Sequence, residues 1–328
     1  MKKRIGVVIH GELRRRLFAE ADWARLKMLG EVVATESETP INAEQAVALL
    51  KGCEIAVGSW GTPGPTAEVV AHCPDLKLWI HAAGTVKPFF GPHLEGRELR
   101  IASCKAAIAR SVAELVLGEI ILGLRRVPQD AAANRNGVTS KPAGLKTLAE
   151  STVGIVSASE TGRALIALLR PFGCRVLVWD PFLDEAQAHA LGVARGAEIV
   201  ELCAQCDVVS LHAPALPATR HLLGAKHFGA MRDGAIFINS SRGTCIDEQA
   251  LIAELERGRL FAFLDVTDPE PAAADSPLRK LSNVILTSHT AGPSSVLIGR
   301  QVIEDIEATL HGGTPRHVIT ADQLARVG

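Results

Sequence analysis

The residues between Thr152 and Pro181 have the types and the spacing that bind a dinucleotide. This segment, TVGIVSASETGRALIALLRPFGCRVLVWDP, predicts a strand, a tight turn, a helix and a second strand that ends at an acid, Asp180. In such a unit the turn and the helix N-terminus hold a pyrophosphate, and the acid binds the ribose hydroxyls. An acid at Asp180 would also repel a ribose phosphate, so the segment favours NAD over NADP.

The glycine turn of this segment departs from the usual GxGxxG pattern. The cofactor-binding candidates at the turn are Ser157, Ser159, Glu160, Thr161 and Gly162, of which only the last is a glycine. The Cβ of Ser159 obstructs a close approach of the pyrophosphate, and Glu160 adds negative charge, whereas the two new hydroxyls could donate to phosphate. We therefore expect cofactor binding that is intact but weak. From this segment alone, a plain βαβ unit that binds no nucleotide stays open.

Three further segments carry more specific patterns. They are Ser210–Leu251 (SLHAPALPATRHLLGAKHFGAMRDGAIFINSSRGTCIDEQAL), Phe263–Pro271 (FLDVTDPEP) and Asn283–Gly292 (NVILTSHTAG). Together they resemble the D-isomer-specific 2-hydroxyacid dehydrogenase family, and the resemblance extends over almost the whole chain. It implies an α/β protein of two Rossmann-like or flavodoxin-like domains with parallel sheets and an active site in the cleft between them. It also implies NAD as the cofactor and a small 2-keto or D-2-hydroxy acid as the substrate.

The resemblance implies three catalytic residues. The Arg of SSRG is Arg242, the Glu of PEP is Glu270 and the His of TSHTAG is His289. Reduction of a keto acid needs a proton donor near the carbonyl oxygen, and an imidazole titrates near neutrality. A carboxylate at the other ring nitrogen favours the imidazolium, and a guanidinium can hold the substrate carboxylate and polarise the keto oxygen. Taken one at a time, His289 at a strand end could be a buried structural histidine, Arg242 a surface cap and Glu270 a solvated charge.

Other residues receive a role from the resemblance alone. Those expected along the cofactor are Val112 against the nicotinamide, Asp265 at its amide, Ser241 and Gly292, and Ala213, Pro214 and Thr219 beside the adenine. Gly84 and Thr85 match a turn whose N–H groups hold the substrate carboxylate. Lys87 and Lys105 depart from the family pattern and indicate either extra positive charge near the substrate or solvated surface.

Short β-branched runs alternate with helical periods along most of the chain, which predicts βα units on parallel sheets. Predicted strands are Ile5–Ile9, Glu54–Gly58, Leu78–His81, Arg100–Ala102, Thr152–Ser157, Arg175–Asp180, Asp207–His212, Ala235–Ser240, Phe261–Val266 and Val284–Ser288. Predicted helices are Ala43–Lys51, Thr66–Ala71, Gly162–Arg170, Asp184–Leu191, Ser294–His311 and a long apolar one, Arg110–Pro128, capped by Ser111. The polar stretch Pro128–Glu150 predicts irregular structure.

The composition excludes several other classes. Lys and Arg total 35 against 36 acidic residues, which predicts binding to neither nucleic acid nor an anionic membrane. No apolar stretch approaches the roughly 18 residues of a membrane span, and the basic N-terminus does not fit a signal peptide. Seven cysteines in 328 residues indicate reduced thiols and a cytoplasmic protein. The single CxxC, Cys203–Cys206, lacks further ligands nearby, so we predict no metal site.

The domain organisation expected is discontinuous. Residues 1–103 and 293–328 should form the substrate-binding domain and residues 104–292 the NAD-binding Rossmann domain, with the long apolar helix serving a two-fold homodimer. The intact Arg, Glu and His favour an oxidoreductase. The altered glycine turn keeps open an NAD-sensing scaffold or corepressor, and a phosphite-type dehydrogenase would carry a similar triad.

Overall fold

The fold is given by a computed structural model that describes residues 2–139 and 141–324. The chain forms a split unit, Met1–Ile108 with Pro293–Gly328, and a middle unit, Ala109–Gly292. The first boundary follows Ile108 rather than Ser103. The reason is that the N–H of Cys104 donates to the carbonyls of His81 and Ala83. These bonds attach the start of the next helix to the split unit.

The split unit contains a five-stranded parallel sheet in the order β2-β1-β3-β4-β5. Its strands are β1 (Arg4–Val7), β2 (Glu31–Ala34), β3 (Ile55–Gly58), β4 (Leu78–His81) and β5 (Arg100–Ser103). The strands β3 and β4 are buried along their whole length, as expected where helices cover both faces of a sheet. Sequence reasoning did not predict the edge strand β2.

The middle unit contains a seven-stranded parallel sheet in the order β12-β11-β10-β9-β6-β7-β8. Its strands are β6 (Thr152–Val156), β7 (Arg175–Trp179), β8 (Ala194–Arg195), β9 (Val208–Leu211), β10 (Ile236–Asn239), β11 (Phe261–Leu264) and β12 (Val284–Leu286). The strand order reverses between β6 and β9, which is where open α/β sheets bind ligands. The predicted α/β class with parallel sheets is confirmed, and the two-residue strand β8 is an addition to the prediction.

Helices connect the strands in both units. They are α1 (Gly11–Leu17), α2 (Glu20–Leu29), α3 (Ala43–Leu50), α4 (Ala67–His72), α5 (Lys105–Leu124), α6 (Val127–Arg135), α7 (Glu160–Leu169), α8 (Glu185–Leu191), α9 (Ile199–Gln205), α10 (Ala225–Ala230), α11 (Glu248–Glu256), α12 (Val296–Leu310) and α13 (Ala321–Leu324). None of the helices in the described ranges combines the length and the apolar character that a membrane span requires.

Two helix predictions were wrong. The long helix α5 begins at Lys105, and Ser111 lies inside it rather than at its N-cap. The hydroxyl of Ser103 accepts the N–H of Lys105 at 3.2 Å, so capping occurs earlier than the apolar periodicity indicated. The stretch after Pro128 is not wholly irregular. It contains most of α6, in which Pro128 occupies the first turn, where its missing N–H costs nothing.

The CxxC motif belongs to the core of the middle unit. Cys203 and Cys206 are both buried in this core at the end of α9, and Sγ of Cys206 lies next to Gly154 of β6. Burial raises the pKa of both thiols to about 12, so neither forms a reactive thiolate near neutral pH. No group of three or more possible metal ligands occurs among residues 2–139 and 141–324.

One face of α5 packs tightly on the sheet of the middle unit. Val112, Val116, Glu119 and Gly123 recur at helical spacing and are buried on this face. A Cβ added at Gly123 would lie 2.9 Å from Cδ1 of Ile236 and 3.0 Å from Cε2 of Phe263. The glycine therefore sets how closely the helix approaches β10 and β11.

This packing predicts opposite results for two glycines of α5. Gly118→Ala should raise stability by up to about 1 kcal/mol, because alanine favours helix and nothing lies within 4 Å of the added Cβ. Gly123→Ala should be less stable than Gly118→Ala by about 1–3 kcal/mol, because its Cβ overpacks the sheet. Urea unfolding of both variants measures the difference, and equal stabilities would contradict the close approach.

Candidate active site

Three neighbouring strands of the middle unit end at one edge of the sheet and carry the predicted catalytic residues. Arg242 follows β10, Glu270 lies in the loop after β11, and His289 follows β12. The three strands are adjacent and parallel, so their carboxyl ends lie side by side. The topology thus brings together the loops that carry the three side chains.

His289 and Glu270 are in direct contact. Nδ1 of His289 lies 2.5 Å from Oε1 of Glu270, and both side chains are exposed. His289 has a φ of 54°, a left-handed conformation uncommon for residues other than glycine. A carboxylate bonded to Nδ1 fixes the ring orientation and leaves Nε2 as the nitrogen that can exchange a proton with a substrate.

Asp265 holds the segment that carries His289. Its Oδ1 accepts the hydroxyl of Thr287 at 2.6 Å and the N–H of Thr290 at 2.7 Å, and its Oδ2 accepts the N–H of Ala291 at 2.9 Å. The backbone carbonyl of Asp265 also accepts the N–H of His289 at 2.9 Å. Sequence reasoning assigned Asp265 to the nicotinamide amide and missed this second task. A carboxylate has about four acceptor positions, so capacity remains on Oδ2.

The turn that carries Arg242 depends on two residues that sequence reasoning missed. The buried amide of Asn239 accepts the N–H of Ser241 at 3.0 Å and donates to the carbonyl of Arg242 at 3.1 Å. A Cβ at Gly243 would clash with the backbone of Thr267 and Asp268. The two loops therefore touch through their backbones. Arg242 itself is exposed, and its guanidinium donates to the carbonyl of Ser241 at 2.7 Å.

The turn after β6 keeps the shape of a nucleotide-binding turn without two of its glycines. Ser157 has a φ of 83°, in the left-handed region that the first glycine normally adopts. Ser159 is the N-cap of α7, and its hydroxyl accepts the N–H of Gly162 at 3.4 Å. A Cβ at Gly162 would clash with the carbonyl oxygen of Ser157, so the surviving glycine is the one that lets the helix reach the turn.

Asp180 supports this turn from the end of β7. Its Oδ2 accepts the N–H of Ala158 at 2.8 Å and the hydroxyl of Ser157 at 3.2 Å, and its Oδ1 accepts the N–H of Phe182 at 2.8 Å. The expectation that the Ser157 hydroxyl is available to a phosphate is therefore corrected, because that hydroxyl donates to Asp180. About one acceptor position of the carboxylate remains for a ribose hydroxyl.

A basic residue that sequence reasoning missed lies at the same turn. Nε of Arg163 donates to the carbonyl of Ala158 at 2.9 Å, which brings a guanidinium to the start of α7. This positive charge offsets the exposed Glu160, and Thr161 completes the first helical turn. The sequence feature that could have indicated this residue is its position directly after Gly162, the last glycine of the turn. The left-handed turn, the close helix N-terminus and Arg163 together fit a dinucleotide pyrophosphate.

The loop after β9 lies beside the strand-order reversal. The hydroxyl of Thr219 donates to the carbonyl of Pro214 at 2.5 Å, which closes the loop, and Ala213 is buried at its start. Burial lowers the pKa of the neighbouring His212 to about 4, so this histidine is neutral and structural. Gly292 is the last residue of the middle unit.

In the split unit, the turn after β4 has its carbonyls occupied. The hydroxyl of Ser59 donates to the carbonyl of Ala82 at 2.7 Å, and the hydroxyl of Ser103 donates to the carbonyl of Gly84 at 2.6 Å. Within residues 2–139 and 141–324, the N–H groups of Gly84 and Thr85 donate to no protein acceptor. An anion could accept them.

The sequence alone does not assign a role to two side chains near this turn, His81 and Lys87. His81 is buried against Phe89, with ring centroids 4.8 Å apart, and desolvation lowers its pKa to about 4. It is therefore a neutral core residue. Lys87 is exposed at the surface.

Comparison with known proteins identifies the family. Residues 117–291 match the family described as "D-isomer specific 2-hydroxyacid dehydrogenase, NAD binding domain". The chain belongs to the D-isomer specific 2-hydroxyacid dehydrogenase family. The family match assigns NAD as its cofactor, as predicted, and the Asp180 and Gly162 turn lies within the matched range.

Individual members of the family have several activities. A D-3-phosphoglycerate dehydrogenase of Methanocaldococcus jannaschii is 30% identical over 91% of this chain, which covers 58% of that protein. A glyoxylate reductase of Korarchaeum cryptofilum is 27% identical over 88% of this chain and 89% of its own length. A phosphoglycerate oxidoreductase of Rhizobium etli superposes with a TM-score of 0.81 at 26% identity, covering 98% of both chains. The chain thus spans about half the length of the D-3-phosphoglycerate dehydrogenases it matches, from 45% to 58%.

The contact between the Gly243 and Thr267 backbones predicts that small changes there disturb the site. Gly243→Ala should lower kcat/KM about 10- to 100-fold, because a shift of the Arg242 turn misplaces the guanidinium. Gly224→Ala is the matched control, since its Cβ would lie 3.8 Å from its nearest neighbour, in ordinary contact with Asp247. Steady-state kinetics of both variants is the measurement. Unchanged activity of a folded Gly243→Ala variant would show that the turn does not position Arg242.

Proposed function

We propose that this protein interconverts a small 2-keto acid and the D-2-hydroxy acid, with NAD as the hydride carrier. The observation that carries the proposal is the 2.5 Å contact between His289 Nδ1 and Glu270 Oε1. A histidine held through its Nδ1 in this way can serve as an acid–base catalyst through its Nε2. The family match supports the same reaction class.

The chain's own residues supply the proton and the charge stabilisation. When bound, the nicotinamide cofactor exchanges a hydride with the substrate carbon. In reduction, His289 Nε2 donates its proton to the former keto oxygen, and the neutral ring keeps its Nδ1–H bonded to Glu270. In oxidation, the same nitrogen takes the hydroxyl proton. Arg242 stabilises the negative charge that develops on the oxygen, since its guanidinium stays charged throughout.

Binding of the two ligands uses the remaining predicted residues. The N–H groups of Gly84 and Thr85 are proposed to bind the substrate carboxylate. The nucleotide is proposed to contact Ser159, Thr161 and the acceptor position left on Asp180, whose charge opposes a 2′-phosphate. Along the rest of the cofactor, Val112, Ser241, Asp265 and Gly292 are proposed near the nicotinamide, and Ala213, Pro214 and Thr219 near the adenine.

We also propose a cytoplasmic homodimer. Several large apolar side chains of the middle unit are exposed, among them Ile121 and Leu122 of α5, Val127, Leu145 and Phe172. A patch of this kind is typical of a protein–protein interface, and a two-fold dimer would cover it on both copies. All seven cysteines are free, which agrees with a reducing compartment.

A panel of keto acids tests the reaction. With NADH, the protein should reduce at least one of glyoxylate, pyruvate, hydroxypyruvate and phosphohydroxypyruvate, and NADPH should serve less well because Asp180 opposes its phosphate. Cofactor oxidation at 340 nm is the measurement, and phosphite with NAD is run beside it. Turnover of phosphite alone would favour the phosphite-type dehydrogenase, and tight NADH binding without any turnover would favour an NAD-sensing scaffold or corepressor.

His289 is expected to be the proton donor. His289→Gln should lower kcat by roughly two to four orders of magnitude while NADH still binds, because the side chain keeps its size but loses its titratable proton. His189→Gln, on the exposed surface of α8, is the control and should retain parental activity. Near-normal turnover of the His289→Gln variant would exclude this assignment.

A further inference from the structure

A second buried acid lies close to Asp265. Glu119 is on the face of α5 that packs against the sheet, between Val116 and Gly123, and its side chain is 5% exposed. Its Oε2 has no hydrogen-bond partner among the described residues. A buried acid without a partner is costly in its ionised form, so its presence on an otherwise apolar face needs an explanation.

The packing of α5 places Glu119 beside Asp265. Gly123 contacts the side chain of Phe263, and Glu119 lies one helical turn before Gly123 on the same face. Asp265 lies two residues after Phe263, and alternate residues of a strand point to the same face. The helix runs antiparallel to β10 and β11: Arg126 contacts Gly234 and Phe261, whereas Gly123, three residues earlier, faces residues 236 and 263. One further helical turn back, of about 5.4 Å, matches two further strand residues, of about 6.6 Å, so Glu119 and Asp265 come to the same level.

The two carboxyl groups differ in what surrounds them. Asp265 accepts hydroxyl and N–H groups of the His289 segment. Among residues 2–139 and 141–324, no donor bonds the buried Oε2 of Glu119. Desolvation first, and then the charge of Asp265, raise the pKa of Glu119 to about 8. At neutral pH Glu119 therefore carries a proton.

Other charged groups near α5 are directed elsewhere. Arg110 and Glu114 of the same helix pair with each other at 2.9 Å on its exposed side. Arg126, after the C-terminal end of α5, donates to the carbonyl of Gly234 and stacks on Phe261, 3.8 Å from the ring centroid. Asp265, directly after β11, is the charged group whose proximity raises the pKa of Glu119.

We propose that Glu119 is a positioning residue: as a neutral acid it leaves the Asp265 carboxylate free to hold residues 287–291, and its ionisation loosens that segment and with it His289. The loosening follows because two buried carboxylates repel each other. The repulsion is relieved only if Asp265 moves or takes up a proton, and either change weakens its bonds to Thr290 and Ala291. The consequence for catalysis rests on the proposed role of His289.

Hydrogen exchange in the cofactor-free protein tests the structural part. Millisecond exchange of the peptide containing residues 287–292 is measured from pH 6.5 to 9.5 and referred to an unstructured peptide of the same sequence. In the parent, protection should fall about tenfold or more as the pH rises through 8, the size expected for weakened bonds to a charged acceptor. In Glu119→Gln, an uncharged isostere, protection should stay constant. Glu114→Gln is the matched control and should behave as the parent.

A urea-unfolding series checks that Glu119 is the titrating group. Because its folded-state pKa is raised, its stabilising effect is complete below about pH 4.5 and is lost as the pH rises to about 8. The urea midpoint of the parent should therefore fall relative to that of Glu119→Gln between about pH 4.5 and about pH 8. Above about pH 8 the two midpoints should change with pH in parallel. If the Gln variant folds poorly, Glu119→Met, which cannot ionise, should show the same constant protection.

The outcomes separate this inference from the proposed function. Equal pH profiles of exchange in the parent, Glu119→Gln and Glu119→Met would overturn the role of Glu119, even if the keto-acid panel shows turnover. Loss of protection in the parent alone would support the role, even if no substrate is found. With a substrate in hand, the alkaline fall of kcat should be shallower in Glu119→Gln than in the parent, and identical profiles would contradict the link to His289.

Discussion

The carboxylate of Asp265 is the acceptor on which the arrangement of the site depends. It lies at the carboxyl end of β11, between the strands that lead to Arg242 and to His289. A loop that ends in a left-handed histidine has N–H groups that no sheet ladder can satisfy, and Asp265 accepts them through one buried side chain. Once this segment is fixed, His289 can meet Glu270, which comes from the same β11 loop as Asp265. The contact between His289 and Glu270 is thus a consequence of sheet topology together with one well-bonded carboxylate.

The nucleotide turn is subject to a different constraint, which is steric. Gly162 cannot carry a Cβ, because the carbonyl of Ser157 occupies that position, whereas the other two glycine positions tolerate serine. Ser157 adopts a positive φ at some cost in strain, and its bond to Asp180 offsets part of that cost. Ser159 gains a role as the N-cap of α7. The serines therefore stabilise the turn itself, and the Ser157 hydroxyl is used in doing so, because it donates to Asp180.

Sequence reasoning predicted the parallel sheets and the site loops because both depend on local patterns. Buried strands such as β9 and β10 read directly as apolar runs, and Arg242, Glu270 and His289 lie in contiguous motifs. The short edge strands β2 and β8 were missed because an edge needs few apolar residues. The start of α5 was misplaced because Ser103, a strand residue, caps it. Asn239 was missed because it bonds the backbone of the turn that follows it, which an apolar pattern does not reveal. Glu119 was missed because its partner, Asp265, lies far away in the sequence.

Three acids of the middle unit show how environment assigns different tasks to the same functional group. Glu270 is exposed beside His289, where its carboxylate can pair with the imidazole. Asp265 is buried but accepts N–H and O–H donors, and through them it gives structure to the loop. Glu119 is also buried, but its Oε2 meets no donor in the described ranges, so burial and the charge of Asp265 raise its pKa and keep its proton in place. Since two close carboxyl groups cannot both ionise at low cost, the hydrogen bonds of the His289 segment decide which of them carries the charge. An apolar residue at position 119 would remove this cost in stability. The presence of Glu119 on this face fits the proposed pH-dependent hold on the segment that carries His289.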